Sequence, residues 1–380
     1  MPWMEATPMS LRKEFATLAS QARSNISQLC RRFMISRPTG YKWLGRFLEQ
    51  GEEGMKNRSR RPSSSPFKTD DAVAQAVLSV RDKHPAWGGR KIRWTLLEQG
   101  YIEVPVPSTI TEILRRNGRL SPQEAQKHQP CQRFEYEAPN ELWQMDFKGD
   151  FLIRTRRCYP LTVLDDHSRF SLLLEACSDR RTETVQGHLV MAFERYGLPY
   201  RILTDNGTPW VSTERYTPLS VWLIRLGIDV CHGRVRHPQT IGKEERFHRT
   251  LQAELISTRS FADFGDCQRH LSSWRDVYNC ERPHEGLAMA TPASQYTISL
   301  RSYPSSLPPI EYGPQDFVRK VQHGGVIYFK GKEHWVGKAF LGHPVGVRPT
   351  LMDGLYDVYF CHHKIASIDQ TSSTTEPKNV

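Results

Sequence analysis

From Pro139 onward the spacing of apolar residues changes from a helical repeat to alternation, and this change constrains the fold more than any other feature of the chain. Strands are predicted at Trp143–Gly149, Arg154–Leu164 and Phe170–Cys177, separated by the turn-forming runs Lys148-Gly149-Asp150 and Asp165-Asp166-His167-Ser168-Arg169. A helix over Thr182–Tyr196, closed by Gly197, leads to a strand at Tyr200–Thr204, a helix near Leu219–Leu226 and a short strand at Ile228–Cys231. A helix carrying Glu245 and another over Phe261–Tyr278 complete the region. Strands first, then strand–helix alternation, imply an α/β core with a mixed sheet and flanking helices.

Two of these strands run into aspartates, Asp146 and Asp205, and a glutamate falls in the first turn of the later helix. If the strands are neighbours, both carboxylates share one rim of the sheet, and the helix can add a third. Such a hard-oxygen set suits Mg²⁺ or Mn²⁺, and two ions about 3.5–4 Å apart stabilise the attacking and leaving oxygens of an in-line phosphoryl displacement. The plainer reading of either aspartate alone is a turn residue, and Asp205-Asn206-Gly207 is an excellent turn sequence. Asp165-Asp166, followed by His167-Ser168, reads as a hairpin connection. On a helical wheel Phe247, Leu251 and Leu255 form one stripe; Glu244 points into its middle and Glu245 beyond its edge. Periodicity therefore slightly favours Glu244 as the sheet-facing carboxylate, although helix starts shift by a residue or two.

Charge separates the N-terminal third from the rest. Of a net +11, residues 1–130 hold 22 Lys+Arg against 12 Asp+Glu, and the remaining 250 residues hold 30 against 29. A basic surplus so confined attracts a polyanion, and a solvated basic surface is the bland alternative. Residues 10–50 read as three short helices, Ser10–Ser20, Ile26–Met34 with Asn25 as N-cap, and Pro38–Glu49, in a helix-turn-helix order whose last helix carries the stripe Trp43, Leu44, Phe47. A basic Pro/Ser linker over 56–68 precedes a second helical unit: Asp71–Lys83, a segment from Gly88 to Leu97, and a helix from Ser108, its N-cap, to Asn117. Two such units joined by a basic linker favour duplex DNA over RNA, gripped by Lys42, Arg46, Arg58, Arg60 and Arg61.

The expected domains are 1–55 and 69–130 for the two DNA-binding units, 136–300 for the core, a linker over 303–314, a small SH3-like β-barrel over 315–370 and a disordered tail, 371–380. Eight scattered cysteines lack zinc-knuckle spacing and read as reduced thiols. No apolar run reaches the length of about 20 residues that a membrane span needs, and the first residues lack the order of a signal peptide, so a cytoplasmic protein is expected.

Trp143-Gln144-Met145-Asp146, Leu203-Thr204-Asp205-Asn206-Gly207, His237-Pro238-Gln239-Thr240 and the run from Gly242 to Leu251 together resemble bacterial insertion-sequence transposases with a retroviral-integrase-type core. Tyr278-Asn279, Arg282-Pro283-His284 and Thr291-Pro292 match the motif that follows in that family. Ile241 departs from a common asparagine, and 39 residues separate Asp205 from Glu245, more than in many relatives. The resemblance implies a ribonuclease-H-like core and a DDE triad of Asp146, Asp205 and Glu245 binding two Mg²⁺ ions, with Mn²⁺ able to substitute. It also implies Lys243, Arg246 and Arg249 as phosphate contacts, and cleavage and strand transfer on element ends and target DNA by at least a dimer, in a bacterial cytoplasm at the nucleoid. The alternative is a catalytically silent, transposase-derived DNA-binding protein or repressor.

Overall fold

The computed structural model describes residues 7–58, 68–120, 136–205, 210, 216–232 and 242–370. The chain forms two units, Met1–Lys68 and Thr69–Val380.

In the first unit, α1 (Pro8–Ala19), α2 (Ile26–Arg32) and α3 (Arg37–Gln50) close on Phe15, Ala19 and Cys30. Each start is capped by a side chain: Thr7 accepts from the Ser10 amide, Asn25 from Gln28 and Ser36 from Thr39. Gly40 lets α3 approach closely, since a Cβ there would sit 2.5 Å from Cys30 Sγ and 2.9 Å from the Phe15 ring. The Trp43 ring is flanked by the guanidinium groups of Arg12 at 4.1 Å and Arg46 at 4.9 Å.

The second unit begins with α4 (Asp71–Lys83), α5 (Gly89–Glu98) and α6 (Pro107–Arg116), packed around Trp87, Ile92, Leu96 and Ile110. Arg81 is buried among them, donating to the carbonyls of Trp87 (2.8 Å) and Arg119 (2.9 Å). The last helix starts earlier than expected: Val106 is its N-cap, Pro107 opens the first turn and Ser108 lies inside it, because proline's missing N–H costs nothing there.

The core follows the predicted α/β order: β1 (Leu142–Phe147), β2 (Phe151–Ile153), β3 (Arg156–Asp165), β4 (Ser171–Cys177), α7 (Thr182–Tyr196), β5 (Arg201–Thr204), α8 (Pro218–Arg225), β6 (Asp229–His232), α9 (Gly242–Glu254), α10 (Phe264–Cys280) and the short α11 (Pro292–Gln295). The expected strand Arg154–Leu164 is instead the second arm of a β2–β3 hairpin, whose turn takes Arg154 to φ 54°. β1 lies antiparallel to β3 and parallel to β5, and β5 is parallel to the edge strand β6, so the sheet is mixed. Along β1, Trp143, Met145 and Phe147 face the α7–α8 layer. The opposite face of the sheet, with Leu164 and Leu174, packs on Phe247 and Leu251 of α9 and Leu271 and Trp274 of α10.

The proline-rich segment lies along the core. Arg301 donates to the carbonyls of Pro199, Leu226 (3.1 Å) and Gly227 (2.7 Å), and Tyr303 and Leu307 pack on the α7–α8 layer. Beyond it come β7 (Phe317–Lys320), β8 (Val326–Phe329), β9 (Lys332–Trp335), β10 (Pro344–Pro349), β11 (Leu355–Phe360) and β12 (His363–Asp369). These are antiparallel, forming a four-stranded sheet in the order β12-β11-β10-β7 and a separate β8–β9 ribbon. No pairing between β7 and β12 closes that sheet among the described residues. Its core includes Val345, Val358 and Phe360 and continues into Tyr216, Val221 and Ile224 on and before α8. The described cysteines are free thiols, and no helix among the described residues is long and apolar enough to cross a membrane.

Candidate active site

The register of two parallel strands puts the aspartates side by side. Met145 on β1 is level with Thr204, the last residue of β5, so Asp146 follows on β1 and Asp205 directly after the end of β5. Asp146 departs from the apolar side of β1 by the alternation of the strand, and across the sheet it is paired with Thr162 on β3. Its Oδ1 accepts from the Phe147 amide at 2.7 Å. Burial, the charge of Asp205 and, more weakly, that of Glu245 push the Asp146 carboxyl up to about 7, against a partial offset from the Phe147 amide. Asp146 thus feels two neighbouring carboxyls, with too little positive charge nearby to hold it in its ordinary range. That crowding, together with an all-oxygen donor set, fits a hard divalent cation such as Mg²⁺.

The two glutamates of α9 occupy different environments. Glu244 is fully buried beside Phe247 and Leu251, as the helical period predicts, and Glu245 is exposed. Burial and the nearby Asp146 raise the Glu244 carboxyl well above its ordinary range. Thr162 Oγ1 stands 3.1 Å from Glu244 Oε2, 2.8 Å from His248 Nε2 and 2.9 Å from the Asp146 carbonyl oxygen. One hydroxyl proton cannot serve all three. His248 Nδ1 lies 3.9 Å from Asp146 Oδ2, and burial holds the imidazole neutral by lowering it to about 3. Neither Thr162 nor His248 stands out in the sequence. The four-residue spacing of Glu244, His248 and Gln252 on one helical face is the signal that marks this side of α9.

The basic residues divide. Arg246 and Arg249 are exposed on α9. Lys243 is not: its side chain is 14% exposed, and its ammonium lies 2.5 Å from Asp166 Oδ2 and donates to the Asp166 carbonyl at 2.9 Å. This pairing ties the start of α9 to the β3–β4 connection. That connection is the hairpin the sequence suggests: the Asp165 amide donates to Phe170, and the Asp165 carboxylate accepts from Ser168 and from the Asn140 amide. In the other unit, Lys42 is exposed, Arg46 lies along Trp43, and Arg58 donates to Gln50 at 3.0 Å. Arg60, Arg61, the turn residues Asn206 and Gly207, the segment His237–Ile241 and the tail 371–380 lie outside the described residues.

Comparison with known proteins agrees with this architecture. Residues 136–238 and 226–292 each match an integrase core domain, and residues 316–376 match the C-terminal domain of the IS481 family transposases. Residues 12–63 match a helix-turn-helix domain and residues 39–114 a homeodomain-like domain. A 31.7 kDa protein of insertion element IS407 from Burkholderia multivorans is 27% identical over 156 residues, which cover 41% of this chain and 55% of that protein. A 39.2 kDa protein of insertion element IS476 from Xanthomonas euvesicatoria is 28% identical over 164 residues, 43% of this chain and 46% of that one. YlbG of Escherichia coli is 30% identical over 95 residues, 25% of this chain and 77% of that protein. The chain spans about half the length of the two insertion-element proteins it matches. Among solved structures, the HTLV-2 integrase catalytic core domain in complex with magnesium (trimeric form) is 15% identical with a TM-score of 0.34, covering 42% of this chain and 99% of that one. The simian T-cell lymphotropic virus intasome in complex with a PP2A regulatory subunit is 14% identical with a TM-score of 0.39, covering 78% and 96%. With helix-turn-helix modules ahead of an integrase core and the IS481 C-terminal domain behind it, the chain belongs to the insertion-sequence transposases.

Proposed function

We propose that this chain is a DDE-type polynucleotidyl transferase that binds the terminal inverted repeats of its mobile element, cleaves there and joins the freed ends to target DNA. The observation that carries the reading is the adjacency of Asp146 and Asp205 on parallel strands, with Glu245 close enough to raise Asp146. Asp146, Asp205 and Glu245 would hold two Mg²⁺ ions, with Mn²⁺ able to replace them. Bound there, the ions supply Lewis-acid stabilisation to the attacking and leaving oxygens.

The chain's own residues set the geometry. The paired strands β1 and β5 fix the spacing of the two aspartates, and α9 brings the exposed carboxylate of Glu245 to the same rim. Buried Glu244 and neutral His248 back the site from the neighbouring face of α9. In the first step water attacks a phosphodiester at the element end, one P–O bond forms as another breaks, and a 3′-hydroxyl leaves. In the second, that hydroxyl attacks a phosphodiester of the target, exchanging one P–O bond for another. Exposed Arg246 and Arg249 contact phosphates near the reacting groups, and Lys42, Arg46, Arg58, Arg60 and Arg61 grip the end DNA. Two ends must meet, so the working form is at least a dimer, acting at the nucleoid in the bacterial cytoplasm.

The test is Mg²⁺-dependent nicking and strand transfer on labelled DNA carrying the repeats that flank the gene. Asp146→Asn, Asp205→Asn and Glu245→Gln are expected to bind the ends and lose at least about 100-fold in rate, a loss typical of removing one transition-state stabilising group. Glu244→Gln, which keeps the shape of the buried side chain, is expected to remain active. If wild type binds the ends and never nicks them with Mg²⁺ or Mn²⁺, the DNA-binding remnant becomes the correct account.

A further inference from the structure

We propose that Asp229, His362 and His363 form a site for a transition-metal ion, Zn²⁺ in the first instance, separate from the carboxylate rim and pinning the C-terminal β-domain to the core sheet. Asp229 opens β6, the edge strand of the core; His362 lies in the tight turn after β11, and His363 is the first residue of β12. The three side chains converge from opposite sides of the junction, with one ligand atom from each lying within 4.8 Å of the others. Asp229 Oδ1 is 3.0 Å from His362 Nε2 and 3.5 Å from His363 Nδ1. Ligand atoms around a tetrahedral Zn²⁺, each about 2.0–2.1 Å from the ion, stand about 3.3 Å apart, and the two distances bracket that value.

The surroundings are those of a ligand set. His363 Nε2 lies 3.3 Å from the Tyr216 hydroxyl, which orients the ring so that Nδ1 faces the carboxylate. The Arg201 guanidinium approaches the other Asp229 oxygen, Oδ2, at 3.8 Å and leaves Oδ1 to the imidazoles. Two imidazoles and one carboxylate suit Zn²⁺, Co²⁺ or Ni²⁺ far better than Mg²⁺, whereas the Asp146 rim offers oxygen alone. Asp229 and His362 are 40% and 43% exposed, so an ion can enter from solvent, and three protein ligands leave a coordination position for water. Beneath the site the two domains already share apolar contacts through Tyr216, Val221 and Ile224, so the ion would lock an existing junction.

Co²⁺, as a spectroscopic stand-in, is titrated into the full chain after chelator stripping. Wild type is expected to take up one equivalent with the visible d–d absorption of a low-coordinate site, displaced by Zn²⁺ and indifferent to excess Mg²⁺. Asp146→Asn should keep this signal, the double variant His362→Gln/His363→Gln should lose it, and Asp229→Asn should weaken binding at least tenfold. In parallel, Zn²⁺ should raise the Tm of stripped wild type and not that of the double variant. Should the double variant fail to fold, stripped wild type and Asp229→Asn decide the matter. The proposal is overturned if wild type gives neither the absorption nor the Tm shift, if both persist at full strength when the ligands are replaced, or if a thiolate-to-metal charge-transfer band puts the ion on a cysteine.

Discussion

Replacing Asp146 with asparagine should stabilise the metal-free chain while abolishing its chemistry. The folded carboxyl sits at about 7 against an ordinary 3.8, a rise of roughly three units, and each unit corresponds to about 1.4 kcal/mol. A carboxyl raised on folding contributes its favourable term below its unfolded value and loses it as pH rises through the folded value. The penalty therefore begins near pH 3.8 and is complete above pH 7, reaching about 4 kcal/mol at most. Asparagine keeps the shape and carries no charge, so Asp146→Asn should gain about 2–4 kcal/mol at pH 8 and little near pH 4. Urea unfolding of chelator-treated protein at both pH values reads this directly. Mg²⁺ should stabilise wild type and shift the variant much less, since metal linkage needs the carboxylate. Equal or lower stability of the variant at pH 8 would refute the argument that the rim is electrostatically strained without a cation.

Lys243→Met should destabilise the fold by about 3–5 kcal/mol, because it leaves the buried Asp166 carboxylate without its ammonium, and thermal unfolding checks this. Phe247→Ala, which removes a ring packed edge-on against Trp274 and Tyr278, should cost about 3–5 kcal/mol in the same assay. Replacing both Arg246 and Arg249 with glutamine should leave Tm within about 1 kcal/mol equivalent of wild type, since both are exposed. The same double variant should reduce the slope of log affinity against log salt by up to about two in DNA-binding titrations.

Local signals in the chain were enough for the layered core. The 3.6-residue period of α9 leaned toward Glu244 as the buried glutamate without settling the choice, because the first turn of a helix shifts by a residue or two. What escaped depends on partners distant in sequence or on broken periodicity. Lys243 reads as a surface cation among polar neighbours, and only folding brings it to Asp166, 77 residues away. In β12 the bulge near Val358–Tyr359 disturbs the alternation, so that Ile365 and Ile368 both turn inward although three residues apart. Thr162 carries no local signal, because its partners Glu244 and His248 lie on a helix 82 and 86 residues further on.

The alternation along β1 also fixes how this segment can change over evolutionary time. Trp143, Met145 and Phe147 feed one apolar layer while Asp146 serves the opposite face, so each residue's address is its parity in the strand. Conservative substitution within either set keeps both addresses. Inserting or deleting one residue between Leu142 and Asp146 would turn the carboxylate into the apolar layer and an aromatic or thioether side chain toward the rim, losing packing and chemistry in one event. On the proposed function, lineages of this element should therefore accumulate conservative point changes in β1, and length changes there only in copies that no longer move.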